Sequence, residues 1–134
     1  MIFNDLRDIP HEQIRVFYFH SNATGGLSIG GMQTRNISLT YPGVFSHIGI
    51  FSGGVVISAA DIEQHPEFRK DNKLTLKSYG SREVENPRGQ APKETVEEIK
   101  KHGVNAVYYE SPLTAHEWQT WRRSLYEFAP LLFR

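Results

Sequence analysis

The chain has 134 residues, 39% hydrophobic and 22% charged, which suits one globular domain able to bury a core of its own. Fifteen lysines and arginines balance fifteen aspartates and glutamates; zero net charge argues against a nucleic-acid binder, which needs excess cations to displace phosphate counterions, and against a polybasic membrane-surface role. With no cysteine, disulfide scaffolds, thiolate zinc sites and cysteine nucleophiles are excluded, and no apolar run approaches the ~20 residues that span a bilayer.

Met1 to Pro10 mixes Asp5, Arg7 and Asp8 with apolar residues and lacks the charged-then-apolar order of a signal peptide. A soluble chain not exported by that route is expected, with its cellular address left open. Residues 14–19 (IRVFYF) are β-branched and aromatic and read as a strand, and residues 21–26 as a turn. Residues 29–40 read as a helix that Tyr41-Pro42-Gly43 stops. Residues 45–51 (FSHIGIF) form an apolar run, the mark of a buried strand, with Ser52-Gly53-Gly54 as the loop after it. Residues 59–68 read as a short helix with Ser58 as a cap, and residues 74–79 (LTLKSY) as the next strand.

A polar loop over 80–91 follows. Pro92 then opens a helix in the first turn, where its missing N–H costs nothing. Glu94, Glu97 and Glu98 come early in that helix, Lys100, Lys101 and His102 late, and Gly103 ends it, the order the helix dipole favours. Residues 104–109 (VNAVYY) are the last strand. In the final helix, about 117–128, Trp118, Trp121, Leu125 and Phe128 recur at spacings of three and four, a stripe expected to face the sheet. Strands and helices alternate, so the predicted fold class is α/β, a mostly parallel sheet of about four to five strands with flanking helices and right-handed crossovers.

Gly26-Leu27-Ser28-Ile29-Gly30 fits G-x-S-x-G. A serine at such a strand-to-helix turn is strained and exposed, glycines let the chain turn tightly, and the N–H of Ile29 at the helix start can face a developing oxyanion. The motif alone is a weak signal, since a glycine-rich turn can hold a serine by chance. Its setting, at the head of an alternating α/β array, strengthens it. Of six histidines, His102 reads as a helix-terminal charge, His65 as a loop residue before proline and His47 as a core histidine. His116 alone lies between the last strand and the last helix, at the sheet edge where α/β sites gather. The order Ser, acid, His is the order of the α/β-hydrolases. No HExxH spacing and no GK[S/T] phosphate loop occur, so neither metal nor cofactor is expected.

Residues 26–34 (GLSIGGMQT) resemble the nucleophile elbow of carbohydrate esterase family 1, which includes feruloyl esterases, acetyl xylan esterases and esterase D type enzymes. Residues 47–54 (HIGIFSGG) resemble the next strand and loop of those proteins. Residues 108–125 (YYESPLTAHEWQTWRRSL) resemble their histidine loop and last helix. These three blocks agree in order from Gly26 onward, and the terminal residues 128–133 (FAPLLF) match as well. The resemblance implies Ser28 as nucleophile, His116 as general base and an acid three residues after the glycine closing the preceding strand. That glycine is Gly80, which makes the acid Glu83, with Glu85 as the alternative. It further implies a serine esterase that works through an acyl-enzyme on acetyl or feruloyl esters of plant polysaccharide, with a small ester or an esterified polysaccharide as its partner.

The resemblance departs at the front. Residues 1–25 are divergent, and the family's elements before the elbow are not recognisable there. The expectation is one truncated α/β-hydrolase domain over 1–134, lacking the N-terminal half that normally supplies a second oxyanion donor. The alternative is a weakened or inactive remnant acting as a binding or assembly module. An open sheet edge would invite pairing, so a homo-oligomer is expected, with strand exchange as one form and residues 14–19 as a replacement strand. Leu113 stands where the family often has glycine, and the loop over 84–90 is longer than in many members.

Overall fold

The computed structural model describes residues 22–54, 56–85 and 91–132. The strand expected over residues 14–19 lies outside them. Four strands, β1 (Ala23–Leu27), β2 (His47–Phe51), β3 (Leu74–Gly80) and β4 (Ala106–Ser111), form one parallel sheet in the order β1-β2-β3-β4. Helix α1 (Ile29–Thr40) joins β1 to β2. Helices α2 (Ala59–Gln64) and α3 (Pro66–Asp71) join β2 to β3. Helix α4 (Ser81–Val84) and α5 (Pro92–Lys101) lie between β3 and β4, and α6 (Trp118–Phe128) follows β4, ending in a 3₁₀ turn at Ala129–Leu131. The fold class is α/β, as the alternating pattern predicts.

The two central strands, β2 and β3, are buried along their whole length, which is why they read as apolar runs without alternation. One face of the sheet carries Ile48, Ile50 and Ala106 against Leu39, Ile62, Phe68, Val96 and Ile99 of the connecting helices. The other carries Phe51, Leu74 and Leu76 against Phe128 of α6. Each of the buried leucine, isoleucine, valine and phenylalanine side chains contributes roughly 1.5–3 kcal/mol. The sheet therefore grows in one direction with every connecting helix of the larger core on one face, as crossovers of constant hand require.

Four sequence expectations change in the structure. Within the turn expected over residues 21–26, residues 23–26 are instead extended: Ala23–Leu27 is β1, in register with β2 from Ala23↔His47 to Leu27↔Phe51. Its glycines are there for close approach, since a Cβ on Gly25 would lie 3.3 Å from Gly49 O. Residues 59–68 are two helices rather than one, because Pro66 has no N–H to continue α2 and starts α3 instead. Ser58 does cap α2, in a reciprocal box with Asp61. The polar loop over 80–91 begins with the helical turn α4.

Helix α6 turns a different face to the sheet from the one its apolar stripe predicts. Trp118 is 70% and Leu125 55% exposed, and the face toward the sheet is Thr120, Ser124 and Phe128, with Trp121 partly buried beside it. Small hydroxyl residues let the helix approach closely while remaining satisfied: Ser78 donates to Ser124 at 2.7 Å, Ser124 to Thr120 O at 2.8 Å and Thr120 to Ala115 O.

Candidate active site

All four strands end at the same edge of the sheet, and each delivers one part of the site there. The carboxyl ends of parallel strands are where α/β folds gather their chemistry.

The end of β1 runs straight into α1 through Ser28, whose φ of 54° and ψ of −121° lie outside the regions that L-residues favour. The N–H of Ser28 donates to Phe51 O at 2.9 Å, prolonging the parallel ladder by one rung, while Ser28 O accepts from Gly31 at 3.0 Å and starts α1. The backbone that carries the hydroxyl is thus tied on both sides to rigid elements. Close packing of the elbow depends on Gly26, where a Cβ would sit 2.2 Å from Gly30 O, and on Gly31, whose Cβ would meet Gly53 Cα at 2.9 Å. A Cβ on Gly30 would meet open space. Ile29, the first residue of α1, has an N–H with no intrahelical acceptor and stands next to the hydroxyl.

The end of β3 delivers Glu83. Gly80 donates its N–H to Glu83 Oε2 at 2.7 Å, closing the first turn of α4 around the carboxylate. Ser52, at the end of β2, donates its hydroxyl to the same oxygen at 2.8 Å. Glu85, the alternative acid, is exposed, and its N–H closes α4 on Ser81 O.

The end of β4 delivers His116. Its loop is stitched onto α4 by Leu113 N–H to Ser81 Oγ at 2.9 Å and by Arg82 N–H to Thr114 O at 3.0 Å. That approach needs a glycine at position 80, because a Cβ there would lie 2.4 Å from Thr114 O. Leu113 has a φ of 59° and is exposed, so it holds a glycine-like conformation.

These elements bring three of the residues singled out in the sequence into one hydrogen-bonded line. His116 Nε2 is 2.9 Å from Ser28 Oγ, and His116 Nδ1 is 2.8 Å from Glu83 Oε1. Glu83 accepts from Nδ1–H, which leaves Nε2 as the acceptor for the Ser28 hydroxyl. The Trp121 ring meets the imidazole edge to face, centroids 5.3 Å apart at 87°, and limits its tilt. Glu83 is 13% exposed and His116 49%, so the acid end is shielded while the serine end is open to a ligand. Among the described residues no group of three or more His, Asp or Glu side chains is placed to hold a metal ion.

Two residues near the site escape a sequence reading. Ser52 looks like an ordinary loop residue in S-G-G, yet it is buried and has a φ of 50°. Lys77 sits within an apolar strand segment and is 1% exposed. The only sequence signal for either is a lysine in a run that otherwise reads as buried.

A serine on a strand-to-helix elbow, followed in the chain by an acid and then a histidine on a parallel α/β sheet, defines the α/β-hydrolase class. Comparison with known proteins agrees. The chain is 38% identical over 115 residues to an endo-1,4-beta-xylanase/feruloyl esterase of Xylanibacter ruminicola, a match covering 85% of this chain and 14% of that protein. Its fold matches the crystal structure of a thermostable esterase with a TM-score of 0.62 at 17% identity, covering 86% of this chain and 31% of that one. No protein-family model matches the chain. In sequence the chain is similar to a xylanase/feruloyl esterase and in fold to an esterase, consistent with a feruloyl-esterase-like α/β-hydrolase, and it spans a minor part of the length of both proteins.

Proposed function

We propose that the chain carries the serine hydrolase centre of a carboxylic ester hydrolase. Ser28 Oγ attacks the ester carbonyl as His116 Nε2 takes its proton. Glu83 holds the Nδ1–H tautomer and stabilises the imidazolium that forms. The N–H of Ile29 stabilises the negative charge on the carbonyl oxygen. His116 then returns the proton to the departing alcohol, leaving an acyl group on Ser28. Water, activated by the same imidazole, releases the acid. The observation that carries this reading is the unbroken line from Ser28 Oγ through both ring nitrogens to Glu83 Oε1, at 2.9 and 2.8 Å.

The substrate class we propose is an acetyl or feruloyl ester of plant polysaccharide. It is supported by the relative named for feruloyl esterase activity. Exposed Leu27 and Ile29 on either side of Ser28 offer apolar surface to an acyl group. A fluorophosphonate probe is expected to label the protein at Ser28 and to leave Ser28→Ala unlabelled. Turnover of p-nitrophenyl acetate and methyl ferulate is expected to drop by about 10⁴-fold or more in Ser28→Ala and in His116→Ala. Wild-type turnover no faster than Ser28→Ala would refute the proposal.

A further inference from the structure

Behind the hydrolytic line lies a buried polar cluster that the reaction does not use. Lys77, in the middle of β3, donates its ammonium to Gly53 O and lies 5.1 Å from the centroid of the Tyr79 ring. The Tyr79 hydroxyl donates to the same carbonyl at 3.0 Å and lies 3.3 Å from Gly54 O. From α1, Arg35 Nε reaches Val56 O at 3.4 Å. Gly53 also packs so tightly on Gly31 that a Cβ on it would lie 2.9 Å from the Gly31 Cα. The backbone that follows β2 is therefore clamped from below by two side chains of β3 and from the side by α1.

Ser52 stands at the head of this clamped segment. Its N–H donates to Ser78 O at 2.8 Å, and its left-handed φ of 50° is one an L-residue adopts at a cost. Glycine would adopt it freely, so the side chain has to justify the position. It does so with the bond to Glu83 Oε2. A carboxylate can rotate about its last torsion, which is broad and nearly two-fold. One donor on Oε2, the Gly80 N–H, leaves that rotation free. A second donor from a fixed direction settles it, and with Oε2 held twice, Oε1 has one place left, opposite His116 Nδ1.

We propose that Ser52 is a positioning residue: its hydroxyl, aimed by the segment that Lys77 and Tyr79 hold, locks the Glu83 carboxylate in the orientation that selects the Nδ1–H tautomer of His116. The kinetic consequence rests on the esterase reading given above; the tautomer does not. Loss of the hydroxyl leaves the fold and the Gly80 N–H bond to Glu83 Oε2 in place, but lets the carboxylate turn about that one anchor and loosen its hold on His116 Nδ1. His116 then also samples the tautomer with its proton on Nε2, which cannot accept from Ser28.

The test is made on the full chain, labelled with nitrogen-15, comparing wild type with Ser52→Gly and Ser52→Ala. Ring nitrogen shifts report the His116 tautomer directly, His116→Gln identifies the signals, and fluorophosphonate labelling reports the reactivity of Ser28. Ser52→Gly, which fits the left-handed backbone, is expected to keep the wild-type unfolding midpoint or raise it. It is expected to show a mixture of tautomers and to label about tenfold more slowly, the scale on which losing an outer hydrogen-bond partner acts. Ser52→Ala is expected to show the same mixture with a lower midpoint. A single Nδ1–H tautomer in a folded Ser52→Gly would overturn the inference. If wild type is never labelled at Ser28 but its tautomer responds to Ser52→Gly, the esterase reading fails and the positioning role stands.

Discussion

The hydroxyl of Ser28 owes its orientation to a few contacts that tolerate no extra atom. Of the two glycines in G-x-S-x-G, only Gly26 is under steric constraint, with Gly30 O at 2.2 Å from where a Cβ would be; the second has free space around it. The collision at Gly26 is with backbone, so no side-chain rotation relieves it. Gly26→Ala is therefore expected to open the elbow, destabilise the fold by about 2–4 kcal/mol and abolish labelling of Ser28. Gly30→Ala is expected to leave labelling within a small factor of wild type and to stabilise α1 by about 0.5–1 kcal/mol, the gain of alanine over glycine inside a helix. Urea unfolding and probe labelling of the two variants check both outcomes. Equal damage from the two substitutions would mean that the motif, not the local packing, describes the elbow.

At the scale of elements, the site depends on two loops from neighbouring strands lying in contact, the turn after β3 and the turn after β4. Gly80 sits between them. A methyl group there would push on Thr114 O and Ala115 O, at 2.4 and 2.8 Å, and so move the histidine loop off α4. Gly80→Ala is expected to slow ester turnover by about 10²-fold, the effect of displacing a reacting group by roughly 1 Å. Circular dichroism should remain close to wild type, because the sheet itself is untouched; a turnover unchanged by this substitution would show that the two loops are not coupled. Much of this layout could be read from the sequence, since β2, β3, α1 and α5 follow from apolar runs, the Tyr41-Pro42-Gly43 stop and the Pro92-to-Gly103 frame. Ser28, Glu83 and His116 could be singled out because a motif, a chain order and a resemblance each pointed to a position. What escaped was set by tertiary context. β1 hid in a glycine-rich stretch because its strand is held by pairing with β2 rather than by propensity. The inward face of α6 hid because it is built from Thr120 and Ser124, which look like surface residues until their hydroxyls find partners. Ser52 and Lys77 matter through groups 31 and 24 residues away in the chain, which no local pattern records.

At the scale of the whole molecule, two features govern behaviour in solution. The first is the edge at β1, which among the described residues pairs on one side only, next to a helix, α1, that leaves Met32 and Ile37 exposed. We expect this chain to self-associate, and light scattering should report a multiple of the single-chain mass; a well-behaved monomer would remove the homo-oligomer expected from the sequence. The second feature is the buried cation. Burial and the nearby Arg35 push the Lys77 ammonium from 10.5 down to about 7, although Glu83 acts in the opposite sense. Between those two values the unfolded chain carries a proton at Lys77 that the folded chain does not, so stability rises with pH across the window and is lost as pH falls toward 7. The slope approaches about 1.4 kcal/mol per pH unit while the two states differ by a whole proton. Burial also raises Tyr79 from 10.0 to about 12, with Glu83 adding to the effect, and raises Tyr108. An acid raised on folding has the reverse influence, lowering stability as pH climbs past its unfolded value, so the lysine is seen cleanly only below pH 10.0. Lys77→Met keeps similar volume and removes the titration. Urea unfolding from neutral pH up to the onset of tyrosine ionisation should therefore show a rising stability for wild type and a flat one for Lys77→Met, with the variant's advantage greatest at the neutral end. Parallel curves for the two proteins would mean that Lys77 keeps its proton in the folded state, balanced by the Gly53 carbonyl and the Tyr79 ring.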